Sequence, residues 1–149
     1  MVDTFYKDLP IGEEQEYKVL DIIQKKYPNA YKIEGNFKEY DIYVPEINTK
    51  IEVKKDIGSS KSNNYFIEYE CNGELLGIST TTADYWVICD ETNYIWIKRN
   101  KLITVASWYG KHWEGIPNGG ASLVKAYLVP KDNIKIYAKG ITKLPVSLN

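Results

Sequence analysis

The feature that most restricts what this chain can fold into is a pair of short alternating segments joined by a turn. Asp41-Ile42-Tyr43-Val44 and Ile51-Glu52-Val53-Lys54 both repeat at period two, and Pro45–Asn48 lies between them. Successive side chains on a strand point to opposite faces, so Ile51 and Val53 face one way while Glu52 and Lys54 share the other. Asp41 stands opposite Ile42 and Val44 in the same manner. A hairpin turned at Pro45–Asn48 can therefore bring Asp41 beside Glu52, in a register that the sequence does not fix.

One amphipathic helix precedes the hairpin. From about Ile11 to Tyr27, the residues Val19, Leu20, Ile23 and Tyr27 fall on one face, and Pro28-Asn29 ends the run. Glu16 lies near the centre of that apolar arc, where an unpartnered charge is costly and a cation is wanted. Glu13 lies at the edge of the arc and Glu14 points away, so Glu16 is preferred to Glu13. A charge favoured by the helix dipole is the structural alternative for Glu16.

The remaining segments are short. Ala30–Glu34, Glu39–Val44, Thr49–Lys55, Tyr65–Glu70, Tyr85–Asp90, Tyr94–Lys98, Lys125–Val129 and Ile134–Ala138 are expected as strands. Ser79–Asp84 is expected to start a second helix and Asn100–Tyr109 to form another. Asp56–Asn64 is expected as a mobile loop, and Trp108–Ala121 as an aromatic, glycine-rich one. These elements describe a mixed α+β domain, with one central sheet flanked by helices and further strands at the C-terminal end. A length of 149 residues fits one domain able to bury a sizeable core. Cys71 and Cys89 fall inside expected strands without metal-ligand spacing, which fits buried thiols. The longest apolar run, Tyr85–Cys89, is far short of the roughly 20 residues that span a bilayer. MVDTFYKDLP lacks the pattern of a secretory signal, so the expected location is cytoplasmic.

Glu52-Val-Lys54 alone is a weak signal. With 12 Glu and 18 Lys, about one Glu-x-Lys pair is expected by chance, and Glu16-Tyr-Lys18 is a second example. Residues two apart on a helix do not face each other, whereas on a strand they do. An ordinary cross-strand ion pair on a solvated face remains the structural alternative for Glu52 and Lys54. Carboxylates without an organised Cys or His cluster suit a hard cation such as Mg²⁺ or Mn²⁺. Such an ion next to a lysine has a coherent use in phosphodiester hydrolysis.

A helix bearing Glu16, a strand bearing Asp41 and a strand bearing Glu52-Val-Lys54 resemble, in that order, the PD-(D/E)xK nuclease superfamily, the restriction-endonuclease-like fold. The similarity covers roughly residues 11–90. Glu52-Val-Lys-Lys-Asp56, Tyr65-Phe-Ile-Glu-Tyr69 and Gly77-Ile-Ser-Thr-Thr-Thr-Ala-Asp-Tyr-Trp86 look like small phage-encoded members. Tyr40, not proline, precedes Asp41, a departure at a position that varies widely in the superfamily. The resemblance implies that Asp41 and Glu52 bind the metal, that Lys54 assists the nucleophilic water and that Glu16 completes the site. It also places Asn64 and Glu68 on a strand after the mobile loop, as cleft-lining residues or as part of an exposed face.

Other candidates concern DNA. Thr81 and Thr82 would donate to a phosphate at a helix N-terminus, or simply cap that helix. Lys98, Arg99 and Lys101, with Lys55, Lys61 and Lys111, form either a basic track or a solvated face. Trp96, Trp108 and Trp113 are expected in the core rather than as base-stacking platforms. His112 has no evident nucleophile partner, and Asn118-Gly-Gly-Ala-Ser122 lacks the lysine of a phosphate-binding loop, so it is read as a turn. A net charge of −1 leaves no cationic surplus for coating nucleic acid. Any phosphate recognition must then be local.

The expected function is a Mg²⁺- or Mn²⁺-dependent deoxyribonuclease, an endonuclease of phage type. Its partner would be DNA, with no membrane, in host cytoplasm if phage-encoded. A junction- or flap-specific resolvase, requiring a homodimer for paired cuts, is the alternative on the same fold. A DNA- or protein-binding module without catalysis is the alternative from another class.

Overall fold

The computed structural model describes residues 11–35, 39–56, 59–117, 120–141 and 148. Residues 57–58 of the expected loop, and 118–119 of the expected Asn118–Ser122 turn, lie outside that set.

Helix α1 (Ile11–Gln24) carries Glu13 and Glu14 in its first turn, where the helix dipole favours negative charge. A Glu14–Lys18 pair one turn apart closes at 2.8 Å. The helix ends slightly before the expected Tyr27, because the amides of Lys26 and Tyr27 both turn back to the Ile23 carbonyl. Val19, Leu20 and Ile23 are buried, as the periodicity requires.

The hairpin forms as its alternation predicts. Strand β2 (Ile42–Val44) pairs antiparallel with β3 (Thr49–Lys55), with Ile42 opposite Ile51 and Val44 opposite Thr49. Pro45–Ile47 make a single 3-10 turn, and Asn48 closes it in the left-handed conformation at φ 47°. Asparagine tolerates that region better than most residues, and here its side-chain oxygen accepts from the Tyr43 hydroxyl at 2.6 Å. The expected strands at 30–34 and 39–44 are shorter, Tyr31–Lys32 (β1) and Ile42–Val44, and residues 36–38 between them lie outside the described set.

Strand β3 then pairs in parallel with β6 (Tyr85–Cys89), and β6 pairs antiparallel with β7 (Tyr94–Lys98). With β10 (Gly140–Ile141), these strands make a six-stranded mixed sheet in the order β1-β2-β3-β6-β7-β10. Alternation divides its two faces. Ile42, Val44, Ile51, Val53, Tyr85, Val87 and Trp96 meet α1 on one side. Trp86, Ile88, Ile95 and Ile97 meet a second core on the other.

A second sheet builds that other side, where the sequence leads one to expect a single sheet. Strand β4 (Asn64–Cys71) follows a one-turn helix α2 (Ser59–Ser62) and joins β5 (Glu74–Leu75), β9 (Val124–Pro130) and β8 (Lys111–Gly115) in the order β5-β4-β9-β8. Tyr65, Ile67 and Val129 from this sheet share the second core with Leu102, Val105 and Ala106 of α3 (Arg99–Tyr109) and Ile134 of α4 (Lys131–Tyr137).

Three expectations are corrected. Ser79–Asp84 is not a helix: a 3-10 turn ends at Ser79, and irregular chain leads from there into β6. Asp84 is drawn into strand-like pairing, its carboxylate accepting from the Lys50 amide at 2.8 Å and its own amide donating to the Lys50 carbonyl at 2.8 Å. Within 108–121, residues Lys111–Gly115 form an edge strand, because β9 supplies a partner that local composition does not reveal. Ile134–Ala138 is the end of a helix, not a strand. Ile134 is fully buried whereas Ile136 is 72% exposed, an opposition that a helix produces at two residues' separation and a strand does not.

Of the cysteines, Cys89 is buried and Cys71 partly exposed, both as free thiols. Among the described residues no helix is long and apolar enough to cross a membrane.

Candidate active site

The hairpin brings Asp41 and Glu52 together. Asp41 precedes β2, its amide donating to the Ile51 carbonyl at 2.9 Å. Its carboxylate accepts from the Val53 amide at 2.7 Å, which fixes the side chain against β3. Asp41 is only 6% exposed. The Glu52 carboxyl is hydrogen-bonded to Asp41, and burial, followed by the Asp41 charge, pushes its pKa up to about 8. The Lys54 ammonium opposes that rise, lying 3.3 Å from Glu52 Oε2. It also stands 5.6 Å from the centre of the Trp86 ring, a cation–π contact.

Position in the sheet explains this grouping. Glu52 is in register with Trp86 and Lys54 with Ile88, so all four share the face turned away from α1. Lys54, Trp86 and Ile88 form one wall of a cleft of about 690 Å³ between the two sheets. Much of the rest of its lining comes from the second sheet, mostly from the positions of β4, β9 and β8 that alternate with the core residues Tyr65, Ile67 and Val129. Phe66 is in register with Leu128, and Glu68 with Ala126, which in turn aligns with Trp113. Phe66, Glu68, Leu128 and Trp113 all line the cleft.

Glu16 goes elsewhere. It is buried on the α1 side, with Lys32 Nζ 3.7 Å from its carboxylate. Lys32 reaches that side because it pairs with Ile42, a residue of the α1-facing core. Its ammonium is also 3.2 Å from Glu13. The arc-centred glutamate thus meets the cation its position demands, and that cation is a lysine. Among the described residues no group of three or more His, Cys, Asp or Glu side chains is arranged to hold a metal, so Glu16 does not complete a three-ligand cluster with Asp41 and Glu52.

The other candidates separate into two sets. Lys55 and Asn64 line the cleft, and Lys61 is exposed on α2, next to the cleft-lining Ser62. Lys111 is in register with cleft-lining Leu128. Lys98 and Arg99 line a different hollow, beside Asn48 and Asp84. Lys98 pairs with Tyr85 at one end of β6, whereas Lys55 pairs with Cys89 at the other, roughly 13 Å along the strand. The two sets of basic residues therefore lie at opposite ends of β6. Thr81 and Thr82 have no helix N-terminus to serve: the Thr81 hydroxyl accepts from the Ala83 amide at 3.2 Å, and the Thr82 hydroxyl donates to Glu39 at 3.3 Å.

Trp96 is buried as expected, but Trp108 is 62% exposed and Trp113 half-buried in the cleft wall. Sequence reasoning also passed over Asp56, which lines the cleft and accepts the Phe66 amide at 2.7 Å, tying β3 to β4. A contact between strands of different sheets leaves no local periodicity to read.

Two oxygen-bearing carboxyls that exchange a hydrogen bond in a largely buried position suit a hard divalent cation, which would take the place of the proton Glu52 retains. Mg²⁺ commonly takes only one or two protein carboxylates and completes its shell with water and phosphate oxygens, so Asp41 and Glu52 are a sufficient donor set. No protein-family model, curated protein or solved structure matches the chain.

Proposed function

We propose that this chain is a metal-dependent deoxyribonuclease, an endonuclease on a PD-(D/E)xK-like core. The observation that supports it best is the Asp41–Glu52 carboxyl pair with the Lys54 ammonium 3.3 Å from Glu52, Lys54 itself lining the cleft. Antiparallel β2–β3 followed by parallel β6 is also compatible with that core.

In this reading Asp41 and Glu52 hold Mg²⁺ or Mn²⁺. When bound, the ion would lower the pKa of an attacking water and offset charge on the phosphate. The chain's own groups do the rest. The Val53 amide keeps Asp41 from rotating away, and Glu52 gives up its proton to become a ligand. Lys54 holds the attacking water or neutralises charge that develops on the transferring phosphoryl oxygens. Lys55, Lys61 and Lys111 supply phosphate attraction around the cleft, which a net charge of −1 does not preclude because local distribution governs it.

Calorimetric titration with Mn²⁺ tests the metal half of this reading. Wild type should bind the ion with proton release, while Asp41→Asn and Glu52→Gln should each bind at least about ten-fold more weakly. Absence of any heat of binding in wild type would instead favour a nucleic-acid-binding module without catalysis. The observation on that side is that only two carboxylates, not three, converge among the described residues.

A further inference from the structure

We propose that the inter-sheet cleft is a stacking site for an unpaired nucleobase, so that the preferred substrate is single-stranded or locally unpaired DNA rather than uniform duplex. The inference rests on the nuclease reading for its placement of the phosphate, and names the substrate class for that site. Three observations on the lining that the second sheet supplies carry it.

First, that lining is aromatic and ordered. Phe66 and Trp113 meet edge to face with ring centroids 5.0 Å apart, and both line the cleft. Second, the indole is seated by its backbone. A Cβ at Gly115 would lie 3.0 Å from two carbons of the Trp113 six-membered ring, so only glycine lets that ring lie over the strand without displacement. Third, the polar groups fit a base and its phosphate. Glu68 shares that lining with Trp113 through the Glu68–Ala126–Trp113 register. A carboxylate there can accept from an exocyclic amino group. Lys54 and Lys55 line the same cleft and would meet the phosphate, and Lys54 Nζ lies 3.3 Å from Glu52 of the carboxyl pair.

Size points the same way. About 690 Å³ falls in the roughly 300–1,000 Å³ range of cavities that hold a small ligand, which suits a nucleotide or two. Stacking on an aromatic face accepts any base, so the preference is for unpaired strand and not for sequence.

The test is binding of a short labelled single strand and of the matching duplex, followed by anisotropy in EDTA at low salt. Wild type should hold the single strand more tightly than the duplex. Trp113→Ala should weaken the single-strand complex roughly ten-fold, leave the duplex complex unchanged, and be rescued by Trp113→Phe. Gly115→Val, which displaces the ring without removing it, should show the same selective loss. Equal affinity for both DNAs, or single-strand affinity unaltered by Trp113→Ala and Gly115→Val, overturns the stacking site. Because no metal is present, these outcomes are independent of cleavage. Selective binding by a protein that cuts nothing with Mg²⁺ or Mn²⁺ would uphold the stacking site and overturn the nuclease reading.

Discussion

Glu52 and Asp41 share a hydrogen bond at the open end of the hairpin, one position beyond the Ile42–Ile51 pair, and Glu52 keeps its proton up to about pH 8 as a result of burial and the neighbouring charge. An unfolded chain would release that proton near the ordinary 4.5. Between these values the unfolded state binds fewer protons than the folded one, so stability falls as pH rises. Urea unfolding of metal-free protein should therefore show decreasing stability from about pH 4.5 to 8 and level off above. In Glu52→Gln this component should vanish. Parallel profiles for the two proteins would contradict the shared proton.

Lys32 on the opposite face makes a complementary prediction. Its side chain is 5% exposed and lies 3.7 Å from buried Glu16. Replacing Lys32 by Met keeps much of the volume but leaves the glutamate without that cation, and breaking a buried pair from one side costs about 3–5 kcal/mol. Chemical denaturation should show a loss near the lower figure, since Glu16 retains some solvent. A loss below about 1 kcal/mol, within the range of exposed pairs, would show that the contact is not a buried one.

Helix α4 can be checked through two isoleucines. Ile134 is fully buried and Ile136 is 72% exposed. Ile134→Ala should cost about 2–5 kcal/mol through lost burial and a residual cavity, and Ile136→Ala within about 0.5 kcal/mol. Similar large losses at both positions would restore the strand that simple alternation suggests.

These cases show where local pattern was enough. Val19, Leu20 and Ile23 place α1 by their spacing, and the Asp41–Val44 and Ile51–Lys54 alternation places the hairpin and the Asp41–Glu52 contact. Both are short-range features, the helix set by residues within two turns of one another and the hairpin closed by a turn of four residues. Ile134-Lys-Ile-Tyr137 fits either period over so short a span, and only the packing of Ile134 against the second core decides it. Strand β8 was illegible because its partner is β9, whose pairing residues lie about a dozen positions later. The fate of Glu16 was half legible: its burial follows from the helix arc, but Lys32 as its cation depends on which face β1 presents. The division of strands between two sheets, and the cleft it creates, had no signal in the sequence at all.

The most direct measurement is cleavage of a labelled DNA carrying both duplex and single-stranded segments, with Mg²⁺ or Mn²⁺, by wild type, Asp41→Ala and Lys54→Ala. Wild type should cut only with the metal. Asp41→Ala should abolish cutting, and Lys54→Ala should slow it by roughly 10²–10⁴-fold, while that half-exposed lysine leaves unfolding stability nearly unchanged. Metal-dependent cleavage that persists undiminished in both variants, or its absence in wild type, would contradict the assignment of this carboxyl–lysine group as the catalytic centre.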